Sequence, residues 1–216
     1  MNRVGSRAWG LLVIAAVLYW SCVALTMHVL EPEFNPIRAP MSAYVLGAYG
    51  GWMTTTYLAL CAALLSVGFG LATTLPRTGL TRTACLLFLI AATGALLAGL
   101  FPMDFPGPPR TFSGRLHALG GSLAFPTWVL GVFLFSVGFR REPQWRRVSV
   151  VSWLLAVGTI VVFLLGILSL LILGFAGYAQ RLLVALLFVW MIVVGLHLSR
   201  FPREESPHAL SWDKPH

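Results

Sequence analysis

The sequence predicts an all-α, polytopic integral membrane protein: a six-transmembrane-helix bundle with both termini on the cytoplasmic side. Three observations predict it. Of the 216 residues, 58% are hydrophobic and 10% charged, against roughly 25% charged in a soluble domain. The mean hydropathy is +0.83, too apolar for a soluble enzyme or a disordered chain. Six apolar runs each approach the roughly 20 helical residues that cross a hydrocarbon core.

The first run is Ala8–Leu30. Arg3 and Arg7 precede it, as in a secretory leader. It is longer than the apolar core of about 7–15 residues that a leader carries, and no A-x-A-like site follows, so it reads as a retained span. The others are Gly51–Leu75, Ala84–Phe101, Leu116–Phe139, Val150–Phe175 and Leu182–Ser199. All are apolar on every side, as buried or lipid-facing helices are. None alternates as a barrel strand would. Residues 1–200 form one membrane domain, and the polar, proline-containing Phe201–His216 reads as a cytoplasmic tail.

Orientation follows from charge. The net charge is +8, and the basic residues sit in short gaps between spans. With the N-terminus inside, eleven lie inside: Arg3, Arg7, Arg77, Arg82, Arg140, Arg141, Arg146, Arg147, Arg200, Arg203 and Lys214. Four lie outside: Arg38, Arg110, Arg115 and Arg181. That is the positive-inside pattern, and no aromatic-basic stripe points to nucleic acid. The inner connections are short and basic. The outer ones are longer and chemically mixed, which is where function concentrates.

The first outer connection, Glu31–Gly50, carries Pro32, Pro36 and Pro40, which forbid a regular helix. One reading is an ordered cap in which Glu31 or Glu33 pairs with Arg38 and Asn35 makes a turn before Pro36. The other is a polar site into which Ser42 and Tyr44 point. If the chain is helical from Met41, Ser42, Tyr49 and Thr56 share one face, with Trp52 near it, and Gly47 and Gly51 form a GxxxG pair.

The second connection runs from Pro102 to Arg115. Asp104 sits at the outer interface, and Arg110, Arg115 and His117 are its available partners; such a pair would staple spans three and four. Ser113 fits a helix N-cap. His117 begins the fourth span, with Gly120, Gly121 and Ala124 on its stripe. Small residues mark a helix-contact face, so His117 should face the bundle interior. Ser42, Asp104 and His117 are of the types a nucleophile, orienter and base require, but no G-x-S-x-G surrounds Ser42. Arg181 begins the last span, either snorkelling to headgroups, pairing with Glu33 or Asp104, or binding an anionic headgroup.

Other chemistry finds little support. Cys22, Cys61 and Cys85 lie in apolar runs as small hydrophobes. No zinc-ligand spacing is present, so no metal is expected. His28 and His117 could in principle flank a haem, whereas His197 lies at the opposite end; no cofactor is expected. A faint echo links Ser66–Phe69 with Ser136–Phe139, as a duplicated hairpin would.

Several short motifs occur in order at the outer ends of spans. They are Asn35-Pro36-Ile-Arg38, then Ser42-x-Tyr44-x-x-Gly47-x-Tyr49-Gly-Gly-Trp52, Gly99-x-Phe101-Pro102-x-Asp104, Gly114-x-x-His117 and Gln180-Arg181-Leu182. Together they resemble the prokaryotic membrane family catalogued as domain of unknown function 998, over about residues 8–200. The resemblance implies a six-span membrane protein and no particular reaction. It matches Asn35, Ser42, Tyr44, Asp104, His117 and Arg181 to the family's polar positions. The Glu, Asn, Ser, Asp and His set is also loosely similar to the alkaline ceramidase and progestin-receptor-like superfamily. Those proteins have seven spans and an HxxxH in the last helix. Here Val193 and Phe201 stand either side of His197, a departure that argues against a zinc hydrolase.

The expected function is therefore a polar site on the extracytoplasmic side. It would bind or transport a lipid headgroup or small ligand through Glu33, Asn35, Arg38, Tyr44, Tyr49, Arg115 and Arg181. The alternatives are a membrane-embedded lipid-modifying enzyme or hydrolase using His117, Asp104 and Ser42, or a structural subunit with no site. Membrane lipids are the expected partners, with no nucleic acid.

Overall fold

The computed structural model describes residues 4–105, 109–169 and 175–200. Among these, six helices are long and apolar enough to cross a membrane. They are α1 (Val4–Leu30), α2 (Gly50–Thr74), α3 (Gly79–Leu100), α4 (Phe112–Phe139), α5 (Arg146–Leu168) and α6 (Ala176–Ser199). Each packs on the next in chain order, and α6 returns against α1, so the six close into a ring. No strand occurs among the described residues.

Several helices begin earlier than their apolar runs. Hydropathy marks where a helix enters hydrocarbon; its first turn is free to be polar. Thr78 caps α3, its hydroxyl accepting the Thr81 N–H at 3.2 Å. Thr111 caps α4 in the same way, accepting from Gly114 at 3.0 Å. Thr111, not Ser113, is therefore the N-cap; Ser113 donates instead to the Pro102 carbonyl at 2.8 Å. The expected continuation of span five through 170–174 and the expected tail at 201–216 lie outside the described residues.

Helix contacts depend on glycine where backbones meet. Gly94 in α3 faces Gly120 in α4, and a Cβ on either would lie 2.6 Å from the other's carbonyl oxygen. Gly10 of α1 likewise abuts the Gly195 carbonyl of α6. In lipid, where no hydrophobic force draws helices together, this close approach supplies the dispersion that does.

The two ends of the ring are filled differently. Toward the basic end, which carries Arg77, Arg82, Arg140, Arg141, Arg146 and Arg147, the interior is packed with rings. Phe139 stacks on Trp145 at 4.2 Å, and Phe88, Phe135 and Trp190 adjoin them. A buried polar knot joins α4, α5 and α6: Ser136 and Ser152 hydroxyls lie 2.6 Å apart, and Trp190 Nε1 donates to Ser152 at 2.7 Å. The Ser66 echo does not share this role, since Ser66 donates within its own helix to the Ala62 carbonyl. The opposite end, which carries the two long connections and is called the loop end below, is hollow.

The glycine contact makes a measurable claim. Gly94→Val or Gly120→Val should each destabilise the detergent-solubilised protein by about 1–3 kcal/mol, the usual cost of overpacking. Gly51→Ala, with nothing within 4 Å of the added carbon, should leave the unfolding midpoint unchanged.

Candidate functional site

The roof of the loop end is the connection from Glu31 to Tyr49. Its prolines free backbone carbonyls from any helical ladder, and those carbonyls need donors. Asn35 makes the expected turn, its Oδ1 accepting the Ile37 N–H at 2.9 Å. Met41–Leu46 then forms a short 3₁₀ helix, and α2 starts only at Gly50. This break corrects the expectation that Ser42, Tyr49 and Thr56 share one helical face.

Arg181 of α6 gathers the roof. One terminal nitrogen donates to the carbonyls of Pro36 and Ala39, both at 2.8 Å, and of Gly177 at 3.0 Å. The other donates to the Tyr44 hydroxyl at 3.1 Å. Its Nε donates to His28 Nε2 at 3.0 Å. His28 Nδ1 lies 2.6 Å from the Ala24 carbonyl, so Nδ1 carries the hydrogen and Nε2 is the acceptor. Beside this clasp Gln180 Oε1 accepts the Met41 N–H at 2.8 Å, and Tyr178 N–H donates to Ile37. Gly177 lacks a Cβ because one would run into the Pro36 and Ala39 carbonyls.

Two expected ion pairs give way to this arrangement. Arg181 takes backbone carbonyls rather than Glu33 or Asp104. Glu31 is 1% exposed and accepts the Tyr49 N–H at 2.6 Å rather than pairing with Arg38. Gly47 is glycine because a Cβ there would overlap the Glu31 carboxylate; it does not serve a helix-contact pair with Gly51.

In the second connection Asp104 accepts the Thr111 hydroxyl at 2.6 Å and the Thr111 N–H at 2.9 Å. These two bonds, the hydroxyl first, hold its carboxyl below the usual aspartate range, with Arg110 and Arg115 adding to the effect. The Thr111 bonds replace the expected staple to Arg115 or His117; Arg115 Nε points instead to the Thr111 carbonyl at 3.4 Å. His117 Nδ1 lies 3.0 Å from both the Ala98 and Phe101 carbonyls at the end of α3. Two carbonyl partners require the hydrogen on Nδ1. Nε2 is left as an acceptor, and it makes no bond among the described residues. Asp104, His117 and Ser42 share one end of the bundle, yet each hydrogen-bonds elsewhere, so they form no proton relay.

Below the roof lies a cavity of about 600 Å³. It reaches from Ser42 and Gln180 down to Trp20 and Trp128; along α4, from His117 to Trp128, that is about 16 Å at 1.5 Å of rise per residue. Its walls are apolar apart from Ser42, Tyr57, His117, Ser122, Gln180 and the indole N–H groups of Trp20 and Trp128, which are buried without a hydrogen-bond partner among the described residues. Tyr57 and His117 meet edge to face with centroids 6.0 Å apart, and Ser42 lies beside the Tyr57 hydroxyl. Pro126 lines the cavity within α4. Having no N–H, it frees the Ser122 carbonyl one turn back, while Thr127 caps the Leu123 carbonyl at 2.6 Å. α5 is the least covered wall helix: 17% of its apolar stretch is buried, against 39–50% in the other helices.

Of the expected site residues, Ser42 and His117 line this cavity. Glu33, Asn35, Arg38, Tyr49 and Arg115 are exposed away from it, Tyr44 and Arg181 build the roof, and Asp104 braces the start of α4. Tyr57, Ser122 and Pro126 were hidden in apolar runs, where only their being polar or proline inside a span marked them. Gln180 carried a motif but no assigned role. His28 is committed to Ala24 and Arg181, so it is not placed as a haem ligand facing His117. No group of three or more His, Cys, Asp or Glu among the described residues could hold a metal ion.

Fold and cavity together define a six-helix membrane protein with a roofed, largely apolar chamber at one end. A family model described as "Protein of unknown function (DUF998)" matches residues 13–197, and the chain belongs to that family. Neither the curated proteins nor the solved structures contain a match.

Two outcomes test the roof. Lysine cannot reproduce the guanidinium fork, so Arg181→Lys should speed amide exchange across residues 36–44 by at least about tenfold and leave α3 and α4 unaffected. Asp104 has a depressed native pKa, so its contribution to stability is present above the ordinary value of about 3.9 and fades as pH falls through the lower native value. Thr111→Val should return Asp104 toward that ordinary value in a carboxyl NMR titration; an unchanged titration contradicts Thr111 as the cause.

Proposed function

We propose that this protein binds an amphipathic lipid or small apolar ligand in the chamber under the 31–49 roof. The observation that carries the reading is the chamber's polarity gradient. Polar groups gather at the loop end, around Ser42, Tyr57, His117 and Gln180, and the walls become mostly apolar toward Trp20 and Trp128, whose unpartnered indole N–H groups are the polar atoms of the deep end. About 600 Å³ lies within the roughly 300–1,000 Å³ range of ligand sites. Van der Waals contact is lost at the walls of an unfilled apolar space, so an occupant of matching shape is favoured. The sparsely covered α5 wall supports entry from the bilayer. The ligand is held, or passed between lipid and the loop-end surface.

The basic-residue asymmetry supports a loop end facing away from the cytoplasm and cytoplasmic termini in the cell membrane. A cysteine placed at Glu33 or Phe105 should react with a membrane-impermeant maleimide in intact cells, and one at Arg141 only after permeabilisation. The reverse pattern inverts the topology.

Gly121 lines the chamber, and a Cβ there meets nothing within 4 Å. Gly121→Phe should therefore fill the space without disturbing a helix contact. Mass spectrometry of lipid extracts should find a species near one equivalent in the purified wild type and lost in Gly121→Phe. Equal profiles in two equally stable proteins overturn the binding reading.

A further inference from the structure

Resting on that reading, the chamber's chemistry narrows the ligand class. We infer that the occupant is a neutral, single-chain amphiphile bearing a hydroxyl headgroup, such as a long-chain alcohol, and not a charged lipid. The hydroxyl sits at the roof among His117, Tyr57 and Ser42, and the chain runs toward Trp20 and Trp128.

The argument begins with what the walls lack. No Arg, Lys, Asp or Glu lines the chamber among the described residues. Residues 106–108 and 170–174, in the adjoining connections, contain no charged residue in the sequence either. An ionised headgroup taken from water into such a space loses its hydration and meets no counter-charge.

The nearby cation is already committed. Arg181 follows Gln180, which lines the chamber, yet Arg181 itself does not line it. Each of its three nitrogens donates to the roof or to His28. The start of α6 would otherwise attract an anion, but the Ile37 carbonyl occupies the Tyr178 N–H there. The guanidinium is thus spent on the roof and His28, and the roof also takes one N–H group of the α6 start.

What remains is a neutral hydrogen-bonding set of both signs. In the neutral ring, with the Nδ1 hydrogen directed at the Ala98 and Phe101 carbonyls, His117 Nε2 is an acceptor. Ser42 and Tyr57 offer hydroxyls able to donate or accept. Gln180 has its oxygen tied to the Met41 N–H, which leaves its amide N–H groups as donors. A ligand hydroxyl donates to His117 Nε2 and accepts from a neighbouring hydroxyl. A carboxylate or a phosphate dianion has no hydrogen for a neutral-ring Nε2, and an ammonium finds no carboxylate.

Size admits one chain. At about 30 Å³ per small group in a condensed phase, the chamber holds on the order of twenty non-hydrogen atoms. That is enough for a single chain.

The test is native mass spectrometry of the full-length protein in detergent, titrated separately with dodecanol, dodecanoate, dodecyl phosphate and dodecylammonium. Dodecanol should bind as one adduct at least about tenfold more tightly than any of the three ions. Tyr57→Phe, which keeps the ring, should weaken dodecanol several-fold and leave the ions unchanged. Gly121→Phe should remove the adduct. An ion that binds as tightly as dodecanol, with Gly121→Phe still blocking it, overturns the neutral-headgroup assignment and leaves the chamber as a binding site. No adduct from any probe, or adducts indifferent to Gly121→Phe, overturns the binding reading itself.

Discussion

A proline-rich strap laid across the end of a helical bundle carries carbonyls that no helical N–H can reach, and one guanidinium collects them. Arg181 binds Pro36, Ala39 and Gly177 carbonyls through one nitrogen, Tyr44 through another and His28 through the third. The Ala39 and Gly177 carbonyls are partly buried at the edge of the apolar bundle, where an unpaired carbonyl is costly. The strap is therefore stable only where a multi-donor group stands beneath it. This constraint also sets the chamber. The Gln180–Met41 bond beside Arg181 fixes the 3₁₀ turn that carries Ser42 over the opening. Without the clasp, the chamber would have walls but no ceiling.

Small residues produce opposite results on adjacent faces of α4. Gly120 faces α3 and lets the two backbones touch. Gly121, one residue on, turns about 100° around the helix at 3.6 residues per turn and opens onto empty space. One face of α4 anchors the ring, and the next contributes the volume of a side chain to the chamber. At the basic end Phe135 and Phe139 of α4 meet Trp145 and Trp190, and their rings fill the interior there. The hollow is thus a local choice of side-chain size within a bundle otherwise packed to its centre.

Hydropathy made the six spans legible because burial in lipid demands a long, uniformly apolar run, and few other structures tolerate one. Their starts were less legible. Thr78 and Thr111 cap turns that project beyond the apolar runs, and hydropathy is blind to capping. At the site, the small residues Gly120, Gly121 and Ala124 were read as one helix-contact stripe beside His117; Gly120 and Ala124 do meet α3, whereas Gly121 opens onto the chamber that His117 lines. Pairing by charge misled at Glu31, Asp104 and Arg181. All three satisfy backbone or hydroxyl groups in the connections, and the position of a freed carbonyl is not written in residue type. Tyr57 and Pro126 were obscured for another reason: within a long apolar run nothing marks which flank faces a cavity until the neighbouring helices are in place.

The two histidines of the loop end show how one local device separates a structural group from a working one. Both turn Nδ1–H onto a backbone carbonyl, His28 onto Ala24 and His117 onto Ala98 and Phe101. That bond fixes the ring and makes Nε2 a lone-pair acceptor in each. For His28 the acceptor is consumed by Arg181, and the residue becomes part of the clasp. For His117 the acceptor has no partner among the described residues, and the side chain lines the chamber. An acceptor facing a largely apolar space is unfavourable unless a donor arrives, and no wall group is positioned to bond to it. On the proposed reading the donor is the ligand's own hydroxyl, and the carbonyls at the end of α3 act at a distance by holding the hydrogen on Nδ1 and leaving Nε2 of the neutral ring to receive it.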